Sequence, residues 1–197
     1  MANGTFGRIQ VVAFERNNFY VLTGGSGGGK SSIIDALRAR GHLCVDEVGR
    51  SIVKEQLRIG GDGTPWQNPQ KFCELALSRA IFVYEQTAER ERPVFFDRGI
   101  VEGVGASRQL GLATEHYRNA ARIYRYAPKA FVTPPWKEIF TNDPERPYSF
   151  EFAIEDYRSN VAAYRECGYE LIELPKAPIS DRVDFILREL SIGSAET

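Results

Sequence analysis

A chain of 197 residues, 43% hydrophobic and 26% charged, is long enough to bury a sizeable core without disulfide or metal staples. Its 25 basic and 26 acidic residues leave a net charge of −1, so no global field marks a nucleic-acid or anionic-membrane binder. No apolar run reaches the roughly 20 residues of a membrane-spanning helix. The amino end lacks the zones of a signal peptide, and Cys44, Cys73 and Cys167 form no CxxC pair. A cytoplasmic protein with reduced thiols is expected, with no nucleic-acid or membrane partner.

Residues 1–18 are a leader or carry an added edge strand at 9–14; residues 19–197 read as one domain. Short β-branched or aromatic runs alternate there with longer amphipathic stretches, the pattern of a parallel sheet covered by helices on both faces. A buried strand is expected over 19–23, then a helix over 30–40 with Ile33, Ile34 and Leu37 inward and Gly41 as its stop. Strand 43–46 and helix 47–59 follow. A turn-rich stretch at 60–66 precedes a long helix capped by Asn68 with Pro69 at its first position. Strand 94–96 ends on Asp97, and helical segments fill 99–126. Strand 130–133 is halted by Pro134 and Pro135. Phe150, Ile154, Tyr157, Val161 and Tyr164 recur every three or four residues, predicting a helix to Gly168. The fifth strand is 169–174, and Ser180 is expected to cap a last helix with Val183, Ile186, Leu187 and Leu190 inward.

The most informative stretch is Gly24, Gly25, Ser26, Gly27, Gly28, Gly29, Lys30, Ser31, which meets G-x-x-x-x-G-K-[ST] at every fixed position. Glycines admit positive φ angles that turn successive N–H groups inward, and their missing side chains let backbone approach phosphate oxygens. The helix starting near Lys30, with Ser31 and Ser32 in its first turn, adds the positive end of its dipole. Lys30 supplies a mobile charge for β- and γ-phosphates, and Ser31 a hydroxyl for a metal ion. The expected ligand is a nucleoside triphosphate, ATP with Mg²⁺.

Ligands of open α/β sheets lie beyond the carboxyl ends of the strands. Asp46 and Glu47 close the second strand, with Arg50 one turn beyond; Asp97 and Arg98 close the third. Asp97 after an apolar run suits a carboxylate that acts on Mg²⁺, usually through water. Which of Asp46 and Glu47 faces the site stays open. Glu47, Arg50 and Arg98 are the candidate acceptor-side residues.

Residues 137–149 are charged, proline-punctuated and follow the fourth strand, so they form a candidate lid whose Arg146 would meet developing phosphate charge on closure. The competing reading pairs that arginine with Asp143 or Glu145. Arg118, Arg122 and Arg125 lie at helical spacing and read as a solvated face. His42 and His116 have no partner pattern for a metal or a triad.

With these residues placed, the sequence resembles a family of small ATPases of the AAA-like P-loop group. The matching features are the loop at 24–31, Glu47-x-x-Arg50, the run from Val94 to Gly99, Pro134-Pro135-Trp136 and Asp143-x-Glu145-Arg146. The loop departs in having Ser26 where the family often has proline and Gly28 where it often has serine. The layout is also similar to that of nicotinamide-riboside and deoxynucleoside kinases. These resemblances imply a three-layer P-loop NTPase fold with core strands in the order 2-3-1-4-5. They imply Glu47 as general base toward an acceptor hydroxyl, Asp97 as a magnesium-shell acid and Arg146 in a lid. Two functions fit. One is a kinase passing the γ-phosphoryl of ATP to a nucleoside-like or other small acceptor; the other is an ATPase or nucleotide switch acting through a protein partner. No N/T-K-x-D guanine signature follows the fourth strand.

Overall fold

The structure, a computed structural model, describes residues 13–141 and 149–192. In chain order it contains β1 (Phe14–Glu15), β2 (Phe19–Gly24), α1 (Lys30–Ala39), β3 (Leu43–Val45), α2 (Val48–Ile59), α3 (Pro69–Thr87) and β4 (Val94–Asp97). There follow α4 (Glu102–Gln109), α5 (Glu115–Ile123), β5 (Tyr124–Arg125), β6 (Lys129–Thr133), a single 3-10 turn (Lys137–Ile139), α6 (Phe150–Glu166), β7 (Glu170–Glu173) and α7 (Ile179–Glu189).

Five strands pair in parallel in the order β3-β4-β2-β6-β7. Counted along the chain these are the second, third, first, fourth and fifth core strands. The period of two explains how β2 serves both faces of the sheet. Phe19 and Val21 enter one core with Phe96, Tyr84, Tyr117, Tyr126 and Tyr164, under α3 to α6. Leu22 enters the other with Phe95 and Phe131, under α1 and α7 through Ile33, Ile34, Leu37, Val183, Ile186 and Leu187. Each such side chain contributes roughly 1.5–3 kcal/mol on burial, so the central strand is held from both sides.

Local signals acted largely as their chemistry dictates. The Asn68 side chain accepts from the Lys71 amide at 3.1 Å, with Pro69 opening α3. Gly41 and Gly168 adopt positive φ just after α1 and α6.

Four expectations need correction. Of the proposed edge strand, residues 9–12 lie outside the described residues, and Phe14 pairs with Tyr124 in a separate two-stranded sheet. The helical stretch at 99–126 is two helices and β5, so Arg125 is a strand residue that donates to the Cys167 carbonyl and lies over the Tyr169 ring. Arg118 pairs with Glu166 on α6 and so ties two helices together. Pro178, not Ser180, precedes α7, and the Ser180 hydroxyl bonds Asp181. Among the described residues, no helix is long and apolar enough to cross a membrane.

Candidate active site

β2 runs straight into the glycine loop. Gly24 has φ +119°, and a Cβ there would lie 2.4 Å from the Thr133 carbonyl, because strand register sets the two residues side by side. Gly29, at φ +81°, makes the last turn before α1. No side chain caps α1, so its first-turn N–H groups and the loop make a candidate anion site. Lys30 is buried, and its Nζ donates to the carbonyls of Gly25 at 2.7 Å and Gly24 at 3.2 Å. The ammonium therefore sits inside the loop rather than in solvent. Ser31 and Ser32 occupy the first turn of α1, both exposed.

Register between β2 and β4 places Asp97 beside Leu22, close to the start of α1. The Ser31 hydroxyl donates to Asp97 Oδ2 at 2.8 Å. Asp97 is 4% exposed, and its Oδ1 is buried without a hydrogen-bond partner. A hydroxyl and an unsatisfied carboxylate oxygen together fit a hard, oxygen-seeking cation such as Mg²⁺.

Arg98 organises the acceptor side. Its φ of +70° is unusual for a residue with a side chain, and its amide is held by the Leu22 carbonyl at 2.9 Å. From this turn its Nε reaches within 3.2 Å of Glu47 Oε1, and its Nη2 donates to Asp156 Oδ2 at 3.0 Å. Burial opposes the guanidinium charge, but Asp156, Glu102 and Asp97 outweigh that cost and hold its pKa above the ordinary value. Glu47 precedes α2 as its N-cap residue and turns toward Arg98. Asp46 turns the other way, exposed and paired with Arg38. Of the two acids, Glu47 is the one that turns toward Arg98 and lines the adjacent cavity.

Three residues here escaped the sequence reading. Asp156 and Asn160 stand one turn apart on α6, where the Asn160 amide donates to Asp156 Oδ1 at 2.9 Å. Glu102 opens α4 and accepts from the Gly99 amide at 2.8 Å and the Tyr164 hydroxyl at 2.7 Å. Burial raises its pKa, with Arg98 pulling the other way. A buried polar residue at i, i+4 from another was the available signal for Asn160. None marked Glu102.

A cavity of about 430 Å³ opens against these groups. Its polar lining includes Ser26 of the loop, Glu47, Arg50, Arg98 and Asp156, and its apolar lining includes Val53, Phe72, Cys73, Leu77 and Ile100. This size and lining suit a small organic ligand. Beyond the fourth strand, Phe140 lies against the loop so closely that a Cβ at Gly27 would come within 2.5 Å of its ring. Arg146, with Asp143 and Glu145, lies outside the described residues. Arg182, a further residue unforeseen from sequence, is buried and donates from Nη2 to the Gly28 carbonyl at 3.1 Å.

Known structures share this architecture. NadR protein in complex with NR aligns at a TM-score of 0.68 with 14% identity, over 93% of this chain and 54% of that one. Deoxyadenosine kinase from M. mycoides, with products dCMP and dCDP bound, aligns at 0.61 with 11% identity, over 88% of this chain and 98% of that one. Shikimate kinase from Acinetobacter baumannii, in complex with shikimate, aligns at 0.53 with 16% identity, over 93% and 98%. Such identities establish a shared fold. No curated protein matches the sequence. An AAA domain family model matches residues 19–182, which takes in the glycine loop, both carboxylate-bearing strand ends and the Arg182 contact, and the chain belongs to that AAA domain family.

Proposed function

We propose that this protein is a P-loop kinase that transfers the γ-phosphoryl group of ATP to a hydroxyl of a small acceptor held in the cavity. The observation that carries this reading is the cavity itself, whose lining joins Ser26 of the phosphate loop with Glu47, Arg98 and Asp156. This lining supports a donor site and an acceptor site that adjoin. The kinase folds described above support the same reading by analogy.

The placement of the described residues supports the following roles. The loop amides and Lys30 bind the triphosphate. Ser31 and Asp97 would hold Mg²⁺, which would neutralise phosphate charge there. Glu47 accepts the proton as the acceptor oxygen bonds to the γ-phosphorus and the bond to the ADP oxygen breaks. Arg98 fixes the direction of Glu47 and Asp156, and Arg50 contacts the acceptor. The apolar walls exclude water, which favours transfer over hydrolysis. Arg146 is the proposed cation that meets the transferring group on closure.

Incubation with γ-labelled ATP and a panel of nucleosides, sugars and other small alcohols tests the proposal. Acceptor-dependent label transfer is expected, and its loss in Lys30→Ala assigns it to the loop. Hydrolysis indifferent to every acceptor, yet accelerated by a protein, would overturn the kinase reading in favour of a partner-dependent ATPase.

A further inference from the structure

Arg182 is 1% exposed and stands in the first turn of α7, the positive end of that helix. Its Nη2 donates to the Gly28 carbonyl at 3.1 Å, and its Nε and Nη1 are buried without hydrogen-bond partners. Among the described residues no carboxylate pairs with it; Trp136 offers only a ring face, 5.9 Å from the guanidinium carbon. A buried cation without a counter-ion, at the wrong end of a helix dipole, is a costly arrangement for the fold alone.

The contact it does make explains the cost. A trans peptide points its N–H opposite its C=O. Holding the Gly28 carbonyl toward α7 therefore directs the Gly29 N–H away from α7. Gly29 is the loop residue immediately before Lys30, with φ +81°. A Cβ on Gly29 would lie 2.9 Å from Arg182 Nη1, so the guanidinium lies directly against this turn. A cation on the carbonyl also polarises the peptide and strengthens its N–H as a donor.

We propose that Arg182 is a positioning residue for phosphate binding: it locks and polarises the Gly28–Gly29 peptide, and the bound triphosphate serves as counter-charge to its buried guanidinium. This rests on the loop being the nucleotide site. It goes further in making α7, far along the sequence, part of the phosphate cradle.

The test compares wild type, Arg182→Met, Arg182→Lys and Lys30→Ala by calorimetric titration with Mg-ATP and with Mg-tripolyphosphate, alongside melting of each protein alone. Arg182→Met is expected to melt at or above the wild-type temperature while binding both ligands roughly tenfold more weakly. Arg182→Lys, which keeps a cation, should recover most of the affinity. Unchanged affinity in Arg182→Met would overturn the proposal, and so would a loss seen with Mg-ATP but not with tripolyphosphate, which would place Arg182 on the base or ribose. If Arg182→Met does not fold, Arg182→Gln takes its place under the same criteria: wild-type melting with roughly tenfold weaker binding of both ligands supports the role, and wild-type affinity refutes it. Full binding by Lys30→Ala would instead remove the nucleotide-site reading itself.

Discussion

Replacing Arg98 by methionine removes a cation that Glu47 and Asp156 both approach, while keeping the length of its stem. Glu47 and Asp156 are only 13% and 18% exposed at their side chains, and Arg98 is 16% exposed. Breaking a fully buried pair costs about 3–5 kcal/mol, because the abandoned charge keeps its desolvation penalty. Partial exposure argues for the low end, so a loss of about 3 kcal/mol is expected at pH 8, equivalent to roughly 6–12 °C in Tm for a domain of this size. The pH dependence has a definite sign. Arg98 itself stays protonated throughout, since its pKa is raised above an already high ordinary value. What destabilises the variant is buried negative charge left without this cation, so its deficit is largest at high pH and shrinks on acidification. Urea unfolding of both proteins at pH 8 and pH 5, followed by tryptophan fluorescence, measures this. A deficit under about 1 kcal/mol at pH 8 would refute the central place given to Arg98, and so would one that grows on acidification.

Three further outcomes are expected. Glu47→Gln should bind Mg-ATP normally yet transfer phosphate about 10²–10⁴ times more slowly, and wild-type turnover would remove Glu47 as the base. Gly24→Ala should abolish nucleotide-induced thermal stabilisation, because its Cβ would press on the Thr133 carbonyl at 2.4 Å; an unchanged Mg-ATP shift in Tm would contradict the packing given for the loop. Burial pushes the Cys73 thiol up to about 11 from an ordinary 9.0, so iodoacetamide at pH 8 should label it far more slowly in native than in urea-unfolded protein. The same shift contributes stability below pH 9 that fades as pH rises through 11, and equal labelling rates in the two states would show that the thiol is accessible.

Much of this architecture was legible because its signals are local. The strand before the glycine loop, the Asn68-Pro69 helix start and the apolar run into Asp97 each depend on neighbours within a few residues. So does the loop, whose geometry follows from glycines and a lysine at fixed offsets. What sequence could not arbitrate was direction. Asp46 and Glu47 are adjacent acids at one strand end, and only the pull of Arg38 on one and Arg98 on the other separates them. Arg182 occupies a core-facing place in the stripe Ile179, Arg182, Val183, Ile186, which a close reading of spacing could have flagged. Its partner, the Gly28 carbonyl, lies 154 residues away along the chain.

The amino-acid sequence alone determined that this protein carries a phosphate-binding loop between a buried strand and a helix, since those groups recognise phosphate through backbone and one adjacent side chain. Tertiary structure decided everything that depends on strands meeting: Asp97 against Ser31, Arg98 between Glu47 and Asp156, and Arg182 behind the loop. The physical reason is that charges in a half-buried site are chosen by distance in space and by desolvation. Neither quantity exists until the sheet has brought its strand ends together.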